Sequence, residues 1–538
     1  MRRRHFFIAL GFAVTAWLGY RIADTAAPRE NAKPKVVNEP AAPRRTVILD
    51  EPAPRFRSGE RPTTYRRDDE AAEAGALSGQ RVLIFKDQDA LEAFLKRAGE
   101  GIRVMGRLDK LNALHVGFLN HDELAALLDG EEEESMVFPV DVPTPGNATA
   151  QAGALALNDG LLEWLGITQD NAKWGEGVRI AVLDTGVANS PAFLSSITSI
   201  NLVALSGNAA DQNGHGTAVA SMIIGQNPLT PGVAPGSSII SVRIADDLGQ
   251  SDSVKLAQGI VSAVDAGANL INISMGSFGD SALVRNAIQY AIDSGALIIA
   301  ASGNNGVDQV TYPAANPGVI AVGAVDALGN HLAFSNSGTE LAISAPGFGI
   351  NAAWTNDQAA SVSGTSFSSP IVTGAIAALM SRPGEKRLTP AQAWSLLSSY
   401  LNDSGDAGAD VAVGAGMPDL GRALTGETRG VYDAAVASQR ILPPSPGNPN
   451  GQIEVLVQNR GTETLVNTRV QITTSSGVVK SNITTLPAKG VTTVRIPISG
   501  KLVDGLQYGS QVTLSGGQND SKPSNDKRVE VYVPPTRK

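Results

Sequence analysis

The chain has 538 residues, 42% hydrophobic and 18% charged, and 43 Lys and Arg against 52 Asp and Glu give a formal net charge of −9. That length holds several domains of the usual ~150 residues, and a mildly acidic balance on so apolar a chain excludes wholesale disorder and nonspecific nucleic-acid binding. There is no cysteine, which excludes disulfides, thiolate nucleophiles, iron–sulfur clusters and cysteine-ligated zinc.

Arg2, Arg3 and Arg4 precede the apolar run Phe6–Tyr20, a basic flank before a hydrophobic stretch. This predicts an export signal or signal anchor over residues 1–27 and a secreted, periplasmic or cell-surface location. The run is shorter than the ~20 residues of a comfortable membrane span, and an N-terminal membrane tether is the outcome if it is not cleaved. Residues 28–78 carry seven prolines between Pro28 and Pro62 among Arg, Glu, Lys and Ala, which predicts an extended, solvated linker.

Residues 79–142 change texture. Arg81–Lys86 reads as a strand, and Leu91, Phe94, Leu95 and Ala98 recur at helical spacing. Ile102 and Val104, then Leu114, Val116 and Phe118, mark two strands. Leu124, Leu127 and Leu128 mark a second helix, and Met136–Val140 a last strand. The order β-α-β-β-α-β is that of a ferredoxin-like α+β unit, and a core this small needs a partner. The run Glu131–Glu134 reads as a solvated loop.

Four motifs carrying chemistry follow. Val178–Leu183 has the continuous apolar pattern of a buried parallel strand and delivers Asp184-Thr185-Gly186 at its carboxyl end, where open α/β sheets hold their ligands. Asn213-Gly214-His215-Gly216-Thr217 opens a helix of small residues that presents an imidazole from its first turn. Ala296–Ala301 is another apolar strand and delivers Ser302-Gly303-Asn304-Asn305-Gly306, in which Asn304 can donate a side-chain N–H. Gly364-Thr365-Ser366-Phe367-Ser368-Ser369-Pro370 leads into a long apolar helix, placing the Ser366 hydroxyl where backbone N–H groups and the helix dipole favour an oxyanion. Each motif alone has a plain structural explanation as a cap, turn or packed side chain.

Together, DTG, HGT, GN and GTSxxSP in this order resemble the subtilisin-like serine peptidases over roughly Leu155–Leu424. The resemblance implies an α/β fold with a parallel-sheet catalytic domain over residues 155–426. In it Ser366 would be the nucleophile, His215 the general base and acid, Asp184 the group that orients the imidazole, and Asn304 the oxyanion donor. Leu248-Gly249-Gln250-Ser251 and Ile273-Ser274-Met275-Gly276 match the two edges that this family pairs with an extended peptide, so protein or peptide substrates are implied. The primary pocket would be walled by Ser274, Met275, Gly276, Ala301, Ser302 and Gly303 with Thr311 at its base, all uncharged, which implies uncharged residues before the cut. The chain departs from many members at Ala218 and Ile371, where they carry histidine. The loop Gln226–Pro231 is short for the calcium site some members hold nearby. No metal ligand is assigned, no cofactor is required, and structural calcium elsewhere is left open. By pattern and position, residues 79–142 are similar to the family's inhibitory propeptides, implying that this unit is the chain's own intramolecular inhibitor and that the enzyme is made as a zymogen.

Residues 430–535 form a separate module. Ile453, Val455 and Val457 alternate, and the pattern recurs at Val470 and Ile472, at Val494, Ile496 and Ile498, at Val512 and Leu514, and at Val529, Val531 and Val533. This predicts an antiparallel β-sandwich, which resembles bacterial adhesion-type modules. Two readings of function follow: an exported serine endopeptidase, or a noncatalytic protein that binds surfaces through the sandwich. An α/β-hydrolase esterase is disfavoured, because Gly364–Ser368 ends in Ser where G-x-S-x-G needs Gly.

Overall fold

The computed structural model describes residues 68–98, 101–143, 148–203, 210–382, 386–446, 448–499 and 502–533, so the expected export signal and most of the linker lie outside the described residues. No helix among the described residues is long and apolar enough to cross a membrane.

The N-terminal unit is one antiparallel sheet of β1 (Gln80–Ile84), β2 (Ile102–Leu108), β3 (Ala113–Phe118) and β4 (Glu133–Met136) in the order β2-β3-β1-β4. A short helix α1 (Asp69–Glu73) precedes it, and α2 (Gln88–Arg97) and α3 (His121–Ala125) cover one face. From Val82 to Ile84 strand β1 is apolar because it is buried on both sides. Leu83 and Phe85 pack with Leu91, Phe94 and Leu124 of the unit itself, whereas Val82 and Ile84 join a core shared with Ala257, Ile260 and Leu283 of the next domain. That shared core is the partner so small a unit requires.

The acidic run differs from expectation: Glu133 and Glu134 belong to β4. Glu134 is held there by Arg81, which is only 2% exposed and donates from Nε to Glu134 Oε1 at 2.7 Å. The same guanidinium grips Asp68 in a fork, at 2.7 and 2.8 Å. Asp68 lies ahead of the boundary at residue 79 drawn from the sequence, so the end of the expected linker is built into this unit.

The central domain carries seven parallel strands, β5 (Arg179–Asp184), β6 (Ile197–Asn201), β7 (Ser238–Arg243), β8 (Leu270–Ile273), β9 (Leu297–Ala301), β10 (Val319–Val325) and β11 (Leu341–Pro346). Their order is β11-β10-β9-β8-β5-β7-β6. Helices α4 (His215–Ile224) and α7 (Thr365–Met380) lie on one side, and α5 (Ser253–Asp265) and α6 (Ala282–Asp293) on the other. In β5, Ile180 and Val182 enter the first core while Ala181 and Leu183 enter the second, which is why the strand is apolar without alternation. Ala218 and Ile371 are fully buried in the first core.

The C-terminal module packs a three-stranded sheet, β12 (Ala434–Leu442), β13 (Gln452–Asn459) and β16 (Val491–Pro497), against a four-stranded one. The latter holds β14 (Leu465–Thr474), β15 (Gly477–Leu486), β17 (Gln507–Thr513) and β18 (Lys527–Val531). All pairings are antiparallel. Val455, Val457, Val470, Ile472, Ile496 and Val512 form its core. Gln458 ties it to the central domain, accepting from Asp403 N–H at 3.1 Å and donating to Leu401 O at 3.0 Å.

Arg81 sets a test of the N-terminal unit. Burial raises the Asp68 carboxyl, but the Arg81 hydrogen bond and charge and the Gly79 and Ala71 N–H groups outweigh it and hold it below its ordinary 3.8. A depressed carboxylate contributes stability above its unfolded value and loses it as pH falls through the folded one, so acid should loosen this unit below about pH 4. Arg81→Ala should destabilise it by about 3–5 kcal/mol at neutral pH by taking the cation from Asp68 and leaving Glu134 with His121 alone. Hydrogen exchange of the β1 and β3 amides measures both effects.

Candidate active site

Asp184 ends β5 and is completely buried. Its carboxylate accepts the Nδ1–H of His215, with Nδ1 2.8 Å from Oδ1 and 3.0 Å from Oδ2, and the Thr185 N–H at 2.8 Å. His215 is the first residue of α4 and is 1% exposed. The glycines around it are geometric necessities. Gly214 has φ 103° and a Cβ there would stand 2.2 Å from the Trp354 ring; a Cβ on Gly216 would stand 2.0 Å from Gly186 O. The HGT motif therefore brings helix α4 against the end of β5.

Ser366 is the second residue of α7 and is 1% exposed. Its neighbour Phe367 packs on the imidazole, ring centroids 5.3 Å apart, which places the start of α7 beside His215. The Ser366 hydroxyl donates to Ser274 O at 2.9 Å, and His215 Nε2 is buried with no hydrogen-bond partner. Pro370 explains a second contact. Having no N–H, it leaves the Ser366 carbonyl, four residues back, without its helical donor, and Ser274 Oγ donates to that carbonyl at 2.7 Å. The proline of GTSxxSP thus opens the socket through which the pocket strand grips Ser366.

Asn304 follows β9. Its Oδ1 accepts from Thr365 N–H at 2.8 Å and from the Thr365 hydroxyl at 2.9 Å. With Oδ1 held, Nδ2 faces the turn before Ser366, where a Cβ on Gly364 would stand 3.1 Å from it. Asn336 supports this loop, accepting from Asn305 N–H at 2.8 Å through Oδ1 and donating its own N–H to Gly303 O at 3.0 Å.

The residues expected to wall a pocket are brought together. Thr311 donates its hydroxyl to Ser302 O at 3.2 Å, and Cβ atoms on Gly276 and Gly303 would stand 2.5 and 2.9 Å from Thr311 atoms. Ala301 is buried at the end of β9. Met275 points the other way, its side chain in the core beneath, so it offers backbone only. Among the described residues, no group of three His, Asp or Glu side chains is arranged as metal ligands.

The groove between the two expected edges is filled by the chain itself. Val140 and Val142 donate their N–H groups to Ser251 O and Gly249 O at 3.1 and 2.8 Å, and Pro139 and Asp141 bridge to Asp252 and Gly276. The strand expected at Met136–Val140 is thus divided. Its first residue ends β4, and Pro139–Val142 lies in the groove with Phe138, Val140 and Val142 buried. Continuing the antiparallel register two residues beyond Asp141 sets Pro143 across from Ser274, whose carbonyl receives the Ser366 hydroxyl.

Three contributors went unnoticed in the sequence. Thr365 had a signal, standing beside the serine of the motif. Asn336 had none, and neither did Asp211, a buried carboxylate that accepts from Thr185, Asn213, Gly214 and Thr217, since the partners of each come together only when separate segments meet.

A parallel α/β sheet with Asp, His and Ser from three separate segments meeting at its carboxyl end has the architecture of the subtilisin-like serine peptidases. The family model described as subtilase family, Peptidase_S8, matches residues 175–416. A thermostable alkaline protease of Halalkalibacterium halodurans is 39% identical over 39% of this chain and 58% of its own length, so the match covers little more than half of that relative. Subtilisin DY of Bacillus licheniformis is 34% identical over 43% of this chain and 86% of its own length. Subtilisin Savinase of Lederbergia lenta is 37% identical over 38% and 76%. The chain belongs to the subtilase family.

The glycine beside the imidazole gives a direct test. Gly216→Ala should cost about 3 kcal/mol or more by forcing α4 away from the Gly186 turn. Thermal unfolding measures the loss, and an unchanged midpoint would contradict the close approach.

Proposed function

We propose that the protein is an exported serine endopeptidase made as a zymogen. The observation that carries this reading is the buried hydrogen bond of Asp184 to His215 beside Ser366, at the end of a groove already occupied by an extended segment. Serine is not ionised near neutral pH, so attack on an amide needs a base. In this reading His215 Nε2 takes the Ser366 proton once the hydroxyl turns from Ser274 O toward it, and later gives the proton to the leaving amine. Asp184 fixes the tautomer and stabilises the imidazolium. Asn304 Nδ2 and the backbone N–H groups at the start of α7 stabilise the oxyanion.

Substrates are peptides that enter as a strand between Gly249–Ser251 and Ser274–Gly276. The occupying segment supports a preference for apolar side chains at alternate positions, since Phe138, Val140 and Val142 are all buried there. The N-terminal unit acts as the intramolecular inhibitor, with its last residues as a product-like occupant. Export is read from residues 1–27, which act as a cleaved signal or, if left uncut, as a membrane tether.

Asn304→Ala should lower kcat by about 10²–10³-fold with KM nearly unchanged, because the donor matters once the carbonyl oxygen becomes an anion. Steady-state kinetics on a peptide substrate measure it, and a change confined to KM contradicts the role.

The active chain should cut itself between Asp141 and Ala154, and Ser366→Ala should accumulate uncut when expressed without other proteases. Intact masses of both proteins decide the point. Equal masses while the wild type hydrolyses casein would sink self-processing and leave the peptidase reading standing; a noncatalytic surface-binding protein would give equal masses and no hydrolysis.

A further inference from the structure

Asp211 lies four residues before His215 and is 2% exposed. Its carboxylate accepts five hydrogen bonds. Oδ1 receives the Thr185 hydroxyl at 2.9 Å and the N–H groups of Asn213 and Gly214 at 2.9 and 2.8 Å. Oδ2 receives the N–H and hydroxyl of Thr217 at 2.9 and 2.6 Å. These donors come from two segments: the end of β5, which carries Asp184, and the turn and first residues of α4, which carry His215. One carboxylate therefore ties the two halves of the Asp184–His215 pair to each other.

Thr185 makes this tie more than structural. Its hydroxyl has one proton and stands 2.9 Å from Asp211 Oδ1 but 3.3 Å from Asp184 Oδ1, while its oxygen accepts the Gly216 N–H at 3.1 Å. The geometry points to Asp211 as a positioning residue for proton transfer, which holds the His215 turn on β5 and draws the Thr185 proton away from Asp184. Asp184 Oδ1 then serves the Thr185 N–H and the imidazole. A hydroxyl turned onto Asp184 would draw on the same negative charge and weaken its hold on the imidazolium. This inference rests on the peptidase reading above and adds a residue to it.

The test uses the full chain. In Asp211→Asn one oxygen becomes an NH₂, which sets donor against donor either at Asn213 and Gly214 or at Thr217, and in the first case releases the Thr185 proton. The expected result is a fall in kcat of about 10- to 100-fold with KM within about threefold, and an acid limb of kcat/KM moved to lower pH. Made in a Thr185→Val background, where no hydroxyl can turn, the same substitution should move the limb less. If Asp211→Asn does not fold, Thr185→Val alone carries the test, with a fall in kcat of about tenfold expected from loss of the tie. An active wild type together with Asp211→Asn of unchanged kcat, or with lower thermal stability and an unmoved pH profile, overturns the inference. An unchanged kcat in Thr185→Val does the same. A wild type that hydrolyses no peptide overturns the peptidase reading itself.

Discussion

Asp184 has no exposed surface, so every hydrogen bond its carboxylate makes must come from the protein. Leaving such a charge unpaired would cost several kcal/mol, and that constraint fixes the geometry around it. The donors are the Thr185 N–H just beyond β5 and an imidazole on the first turn of α4. For the helix to begin there, its second residue must pass within contact of Gly186 O, which only glycine allows. The Trp354 ring over Gly214 closes the other side.

Ser366 is set by a complementary device. A helix normally satisfies its own carbonyls, but Pro370 breaks that pattern at one bond, and the vacancy is filled by a side chain of the groove wall. Ser274 consequently holds Ser366 twice, donating to its backbone carbonyl and accepting its hydroxyl. A shift of that wall shifts the hydroxyl with it. The apolar strands are rigid carriers, and the polar groups at their carboxyl ends form one connected network.

Parallel strands buried on both faces write continuous apolar runs, so β5 and β9 were legible in the sequence, as were the motifs they deliver. The antiparallel sandwich was legible where one face is buried, as at Val470 and Ile472. Strand β15 was not, because Gly477–Leu486 is largely solvated and carries Lys480, Ser481 and Asn482 where a buried strand would be apolar. Strand β4 was displaced for a related reason: Glu133 and Glu134 look like a solvated loop unless the distant Arg81 is known to lie opposite. The division of Met136–Val140 between sheet and groove was equally hidden. Both destinations are extended and apolar, and local pattern does not separate a strand in its own sheet from one in a neighbour's groove. Asp211 and Asn336 are invisible to pattern altogether, since their importance comes from hydroxyl and backbone partners that converge only in the folded chain.

The segment that fills the groove is part of the same chain as the groove, and only five residues separate Val142 from Ala148 in the sequence. While that connection lasts, occupancy is an intramolecular equilibrium, with a local concentration on the order of millimolar regardless of dilution. Cutting it changes the thermodynamics without changing a contact: the same strand becomes a separate ligand whose hold depends on bulk concentration. In a crowded compartment the groove would stay filled, and release into a large volume would empty it, so dilution itself becomes the signal that the groove is open.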